Sequence, residues 1–235
     1  MSCRVADDME LVERRLNAVR ESLCQAINYM RSPSAHAYAD GAQWLEDFIM
    51  QPHAGLGRDG PVCPFARISR ERHALHFATL DASDVGFRTF ALIGLHLPDV
   101  YLDILRQSKC DEDLFALAIF MEGLVPSNYA KYVDVGHSML KPAFMDVGLM
   151  LGEFHPASSV HGARSASFRP MRSPGPMLVI RKMSSHDILF IDKANASNES
   201  RAHELECYLK HVGGKLEETQ RDKVLARLDA LNTDI

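Results

Sequence analysis

Hydrophobic positions recur every three or four residues near the amino terminus, which is the spacing of one face of an α-helix. This helix is predicted for residues 7–30, and its apolar positions are Met9, Leu11, Val12, Leu16, Val19, Leu23, Ala26 and Ile27. A shorter helix is predicted for residues 42–51, with the single tryptophan, Trp44, on its apolar side. The next segment, PHAGLGRDGPVCP, has three glycines and three prolines in thirteen residues, so we expect an irregular loop.

Short apolar runs in the middle of the chain predict strands, because they are rich in branched apolar residues or alternate with polar ones. The predicted strands cover residues 74–81, 114–123, 148–154 and 176–183. Helices are predicted between them, at 83–107 with an interruption near Pro98 and at 127–148. Mixed strands and helices of this kind make up the centre of the chain.

Two further amphipathic helices are predicted near the carboxyl terminus, at residues 204–214 and 215–231. Their apolar positions are Leu205, Tyr208, Leu209, Leu216, Val224, Leu225 and Leu228. We expect them to pack on their own domain, with a seam in a homodimer as the alternative. The whole pattern predicts one α+β domain over residues 1–235, in which helices cover a mainly antiparallel sheet.

Composition and charge narrow the class of partner. The chain is 46% hydrophobic, and 26 basic against 31 acidic residues give a formal net charge of −5. Since no long run of one charge occurs, neither nucleic acid nor a membrane is expected as a partner, and a small-molecule substrate is the better prediction. The sequence contains neither a signal-peptide pattern nor 18 uninterrupted apolar residues, so the predicted localisation is cytoplasmic.

The five cysteines, at positions 3, 24, 63, 110 and 207, are odd in number and widely separated. This spacing argues against a disulfide framework and against a structural zinc site. Cys63 lies in PVCPFA, and the next residues supply Arg67, Arg70 and Arg72. A thiolate there would be stabilised by cations and by a helix N-terminus, which makes Cys63 a candidate nucleophile or metal ligand. The alternative is a small buried thiol in the core.

The segment HPASSVHGARSASFRPMRSPGP, residues 155–176, has no apolar period and is predicted to be a long loop, which is often functional when ordered. His155 begins it, where an imidazole can act as a metal ligand or general base, or can be a hydrogen-bonded structural residue. Arginines in and beside this loop are either exposed or bind an anionic ligand. These arginines are Arg164, Arg169, Arg172 and Arg181.

Several common catalytic motifs do not occur in the sequence: GxSxG, the P-loop, HExxH, and GxGxxG after a strand. Hydrolases with a nucleophile elbow, P-loop NTPases, common zinc proteases and Rossmann dehydrogenases therefore lose their best support. A zinc enzyme with dispersed histidines stays open. The histidines that compete with His155 for such a role are His53, His73, His76, His161 and His186.

Three elements, VCPFAR, LGEFHP and FRPMRSPGPMLVIRKM, occur in this order along the chain. Together they resemble a family of uncharacterised bacterial proteins with a CPFA element, a later FHP element and an RSP element that runs into an apolar strand. The resemblance covers a motif-bearing core at about residues 44–192, with helical extensions at 1–43 and 200–235. The chain is also distantly similar to the haem-dependent N-oxygenases of the YqcI/YcgG type, which have a Pro-Cys pair and a later arginine-rich loop.

This similarity implies an iron-containing haem cofactor, an electron donor, and a monooxygenase that hydroxylates a nitrogen in natural-product biosynthesis. The implied substrate is a small amino acid or a guanidino compound such as arginine. Haem iron accepts an axial thiolate or imidazole, and its propionates need cations, so the similarity implies Cys63 or His155 as ligand. By the same similarity, Arg164, Arg169 and Arg172 bind the propionates.

Two other classes of function are kept as alternatives. One is a non-catalytic domain that binds a small ligand or a partner, in which the CPF and RSP elements are structural corners. The other is a hydrolase or transferase in which Cys63 is the nucleophile and His155 is the base.

Overall fold

The computed structural model describes residues 30–233 and is built around one sheet. Its strands are β1 (Met30–Arg31), β2 (Leu75–Asp81), β3 (Ala116–Glu122), β4 (Leu149–Phe154) and β5 (Met177–Lys182). Their order across the sheet is β1-β2-β3-β5-β4. Within the described range, β2 and β3 are the parallel pair, and the other three pairings are antiparallel.

Six α-helices surround the sheet in residues 30–233. They are α1 (Ala35–Trp44), α2 (Ala66–Glu71), α3 (Phe87–Ser108), α4 (Gly136–Asp146), α5 (Asn198–Val212) and α6 (Glu218–Thr233). Turns of π-helix extend α1 over Leu45–Ile49 and precede α4 over Ala130–Val135. The predicted α+β fold with a mainly antiparallel sheet is confirmed. The helix predicted for residues 7–30 lies outside the described residues, apart from Met30 in β1.

The predicted interruption of α3 near Pro98 is wrong, because the helix continues through this proline to Ser108. A proline inside a helix removes one backbone hydrogen bond and costs about 3 kcal/mol. Buried side chains lie on both sides of Pro98, Leu97 before it and Tyr101 after it. Their burial against the sheet favours one continuous helix despite that cost.

The main core lies between one face of the sheet and the helices α3 and α4. Strand β3 shows the arrangement, because Leu117 and Ile119 belong to this core while Phe120 faces the other way. On the opposite face Phe120 packs with Trp44 of α1 and with Phe154 at the end of β4. Strand β3 is therefore buried on both faces, as predicted for a central strand.

The two carboxyl-terminal helices pack against the rest of the chain through a second apolar cluster. This cluster contains Tyr208 of α5 and Leu231 of α6, together with Met145 at the end of α4. Leu225, which the apolar pattern of α6 includes, is instead exposed. No helix in residues 30–233 is both long enough and apolar enough to cross a membrane.

Candidate functional site

The two loops predicted from composition lie against each other. Phe168, in the long loop between β4 and β5, is buried and stacks on the ring of His53, with ring centroids 4.4 Å apart. The same phenylalanine ring lies 5.9 Å from that of Phe48. The segments that contain Cys63 and His155 are thus joined through aromatic contacts.

His155 follows the last residue of β4, and only 2% of its surface is exposed. Its Nε2 lies 3.0 Å from Oδ1 of Asp134. Because an ionised carboxylate only accepts hydrogen bonds, Nε2 carries the proton, and Nδ1 has a free lone pair. Nδ1 is buried and has no hydrogen-bond partner among the described residues. A buried polar atom without a partner is costly, so this nitrogen is the atom to which a ligand would bind.

The position of the His155 ring is fixed by three neighbouring segments. Asp134 comes from the turn of π-helix before α4, and such turns are frequent at functional sites. The ring of Tyr129 lies 5.5 Å from the imidazole, and the backbone N–H of His155 donates to the carbonyl of Met171 at 3.2 Å. The imidazole is therefore held between the start of α4 and the long loop.

A second pair of titratable groups lies beside the first. Nε2 of His137, on α4, is 2.9 Å from the carbonyl oxygen of Leu151 and 3.2 Å from Oε2 of Glu153. Burial raises the pKa of Glu153 to about 7, and the charge of Asp134 adds to this effect. Burial also lowers the pKa of His137 to about 4. At neutral pH His137 is therefore uncharged, while Glu153 can take up or release a proton.

Sequence analysis did not identify Asp134, His137 or Glu153 as site residues. A signal for them exists, because Asp134, His137 and Lys141 are three and four residues apart and share one helical face. Glu153 and His155 are two residues apart at the end of a strand, so they point to the same face of the sheet. The two patterns together place carboxylates and imidazoles opposite each other.

Cys63 lies in a different part of the molecule from His155. Its half-buried thiol is near the guanidinium of Arg181, with which it interacts electrostatically. Arg181 is the fifth residue of β5, whereas Phe154 pairs with Met177, the first residue of that strand. Four residues of strand correspond to about 13 Å. The structure therefore does not bring Cys63 and His155 into contact.

Arg181 is held by a buried ion pair and not by the long loop. Its Nη1 lies 2.8 Å from Oδ2 of Asp187, and its Nη2 donates to the other oxygen of this fully buried carboxylate. The ring of Phe65, two residues after Cys63, lies 5.4 Å from the guanidinium carbon. These contacts fix the end of β5 against the segment that contains Cys63.

The three arginines of the long loop differ in how the loop holds them. Nε of Arg172 donates to the carbonyl of Ser158 at 3.1 Å, and the N–H of Ser158 in turn donates to the carbonyl of His155. Arg169 donates to the carbonyl of Ala166 at 2.6 Å, while Arg164 is exposed. Arg172 is thus the loop arginine most directly linked to His155.

Fold and site define an α+β protein with a buried carboxylate–imidazole pair at the end of β4. Residues 39–223 match the family model described as a domain of unknown function, DUF6875, and the chain belongs to this family. No curated protein and no solved structure matches the chain significantly. Both Cys63 and His155 lie within the matched residues, as does the whole long loop.

Proposed function

We propose that this protein is a haem-dependent monooxygenase that hydroxylates a nitrogen of a small amino acid or guanidino compound, with His155 as the axial iron ligand. The observation that carries the proposal is the buried, unpartnered Nδ1 of His155. A histidine that binds a metal usually donates its other ring N–H to a carboxylate. Asp134 accepts such a hydrogen bond here.

The residues around His155 give this proposal its chemical content. Asp134 fixes the imidazole tautomer and makes the free nitrogen a better ligand. When bound, haem supplies the activation of oxygen. Because His155 is only 2% exposed, ligation requires neighbouring groups to move, and the proposal includes opening of the loop over residues 155–176.

The charges near the site support the proposed substrate class. Amino and guanidino groups are cations at neutral pH, and Asp134 and Glu153 supply carboxylates beside His155. Arg172, with Arg169 and Arg164 further along the loop, supplies cations for the propionates. The site therefore offers acidic groups to the substrate and basic groups to the cofactor.

The alternatives are affected differently by the geometry. The separation of Cys63 from His155 argues against a nucleophile and base formed by these two residues. Cys63 as the iron ligand, and a binding domain without catalysis, become outcomes of the experiment below. The free thiols of Cys63, Cys110 and Cys207 suit a reducing compartment, so we place the reaction in the cytoplasm.

The first test is the absorption spectrum of the full chain expressed with a haem precursor. We expect a stoichiometric Soret band that is lost or shifted in His155→Ala and shifted in Asp134→Asn, because the ligand or its orienting carboxylate has changed. His161→Ala, in the same loop, is the matched control and should keep the band. Circular dichroism checks that each variant is folded.

Two results of this experiment would overturn the proposed assignment. A folded wild-type chain without a Soret band would exclude haem, and a band lost in Cys63→Ala but kept in His155→Ala would make Cys63 the ligand. The haem-loaded chain is then incubated with oxygen, a reductant and a panel that includes arginine. Mass spectrometry of a hydroxylated product tests the reaction, and its absence across the panel would favour a binding domain.

A further inference from the structure

The end of α4 and one face of α5 bring three metal-ligating side chains together. Asp146 ends α4, while His203 and Cys207 lie four residues apart on α5. Nε2 of His203 is 2.8 Å from Oδ1 of Asp146, and Sγ of Cys207 is 3.6 Å from each of these two atoms. The cluster contains one oxygen, one nitrogen and one sulfur donor from two helices.

The distances within this cluster are close to those of a tetrahedral zinc site. Zn–S bonds of about 2.3 Å and Zn–N or Zn–O bonds of about 2.1 Å put neighbouring ligand atoms about 3.5 Å apart. Both distances from Sγ of Cys207 are 3.6 Å and therefore already fit. The distance from His203 to Asp146 is shorter because the two side chains are hydrogen-bonded, and it must lengthen by about 0.6 Å to admit the ion.

The surroundings hold the three donors in place and leave one side open. Cys207 is buried, His203 is half-buried and Asp146 is exposed, so water can reach the cluster from the side of the carboxylate. One turn further along α5, Nε2 of His211 lies 3.0 Å from the carbonyl oxygen of Asp146, and Nζ of Lys210 lies 3.3 Å from it. These contacts tie the end of α4 to α5.

We propose that Asp146, His203 and Cys207 bind one divalent transition-metal ion, with a water molecule in the fourth position. Zinc fits best, because it accepts mixed sulfur, nitrogen and oxygen ligands in tetrahedral geometry. Asp134 and Asp146 are twelve residues apart, about 18 Å along a helix. The ion therefore lies well away from His155 and acts as a cross-link that stabilises the contact between α4 and α5.

The test is a titration of the metal-free full chain with Co²⁺, which reports a thiolate ligand through a charge-transfer band. We expect one equivalent to produce this band and to compete with Zn²⁺. Cys207→Ser should abolish the band, whereas His203→Gln and Asp146→Asn should weaken binding at least tenfold. Zn²⁺ should also raise the Tm of the wild type but not that of His203→Gln.

A second cysteine–histidine pair provides the matched control. Sγ of Cys110 lies 3.6 Å from Nε2 of His76, the same distance as in the proposed site. Among the described residues this pair is not part of a group of three ligands, so Cys110→Ser should bind Co²⁺ like the wild type. A band that survives Cys207→Ser, or a wild type that gives neither a band nor a Zn²⁺-dependent Tm shift, would overturn the proposal. Should Cys207→Ser fail to fold, a folded His203→Gln with wild-type affinity would also overturn it.

Discussion

At the scale of single residues, burial decides which groups near His155 carry a charge. The pKa of His137 falls to about 4 and that of Glu153 rises to about 7, in both cases first because burial disfavours the charged form. The two shifts have opposite effects on stability. The shift at His137 weakens the fold as the pH falls, whereas the shift at Glu153 weakens it as the pH rises through about 7.

The variant His137→Gln should make the protein less sensitive to acid. From pH 6.5, the ordinary pKa of histidine, down to about 4, the unfolded chain binds a proton at His137 that the folded chain does not bind. The wild type thus loses stability over this window, by about 2 kcal/mol at pH 5 from this residue alone. Urea denaturation at pH 7 and pH 5 should show that much less loss in the variant. His36, with a side chain 88% exposed, is the control: His36→Gln should follow the wild type, and equal acid sensitivity in His137→Gln would contradict the shift.

His155 could be selected from the sequence, but its partner could not. A histidine at the end of a predicted strand, before a long loop, is a position that sequence patterns identify. Asp134 is 21 residues away and lies in a turn of π-helix, which has no sequence signal of its own. Only the packing of α4 against β4 brings the two side chains together.

At the scale of elements, periodicity predicts where a strand or helix lies better than it predicts which elements touch. Strand β3 was identified from its apolar run, and the loops at residues 52–64 and 155–176 from glycine and proline. The stacking of Phe168 on His53, which joins those loops, depends on tertiary packing. Pro98 shows the same limit, since burial on both sides of it overrides a local rule.

Helix α1 approaches the sheet closely at Gly41, and the variant Gly41→Ala tests this contact. A Cβ atom at this position would lie 2.3 Å from Cζ of Phe120. Alanine favours a helix by about 1 kcal/mol over glycine, but the overlap forces the aromatic ring or the helix to move. We expect a net loss of about 1–2 kcal/mol in the free energy of unfolding, measured with urea.

Gly214 provides the control for this substitution, because a Cβ atom there would meet nothing within 4 Å. Gly214→Ala should change stability by less than about 0.5 kcal/mol. If Gly41→Ala were as stable as the wild type, the close approach of α1 to Phe120 would be wrong.

At the scale of the whole molecule, the helices α5 and α6 belong to the same packed structure as the sheet. The family match ends at residue 223, inside α6, and so extends beyond the motif-bearing core predicted for residues 44–192. Sequence motifs did not reach this region, because its contribution is apolar contact through residues such as Leu205 and Tyr208. Contacts of this kind depend on how helices meet and leave only a general amphipathic pattern in the sequence.

Two leucines on α6 test whether this helix unfolds together with the sheet. Leu231 is 2% exposed and Leu225 is 42% exposed. We expect Leu231→Ala to lower the free energy of unfolding by about 2–4 kcal/mol, because it leaves a cavity in the second apolar cluster. Leu225→Ala, the control on the same helix, should change it by less than about 0.5 kcal/mol.

The single tryptophan makes this measurement sensitive to cooperativity. Trp44 lies in the apolar cluster on the opposite face of the sheet from α3 and α4 and does not belong to the cluster of α6. If the described chain unfolds as one unit, Leu231→Ala shifts the tryptophan fluorescence transition and the circular dichroism transition in urea by the same amount. A circular dichroism change at lower urea, with an unshifted fluorescence transition, would instead mean that α6 unfolds independently and that its contacts do not stabilise the sheet.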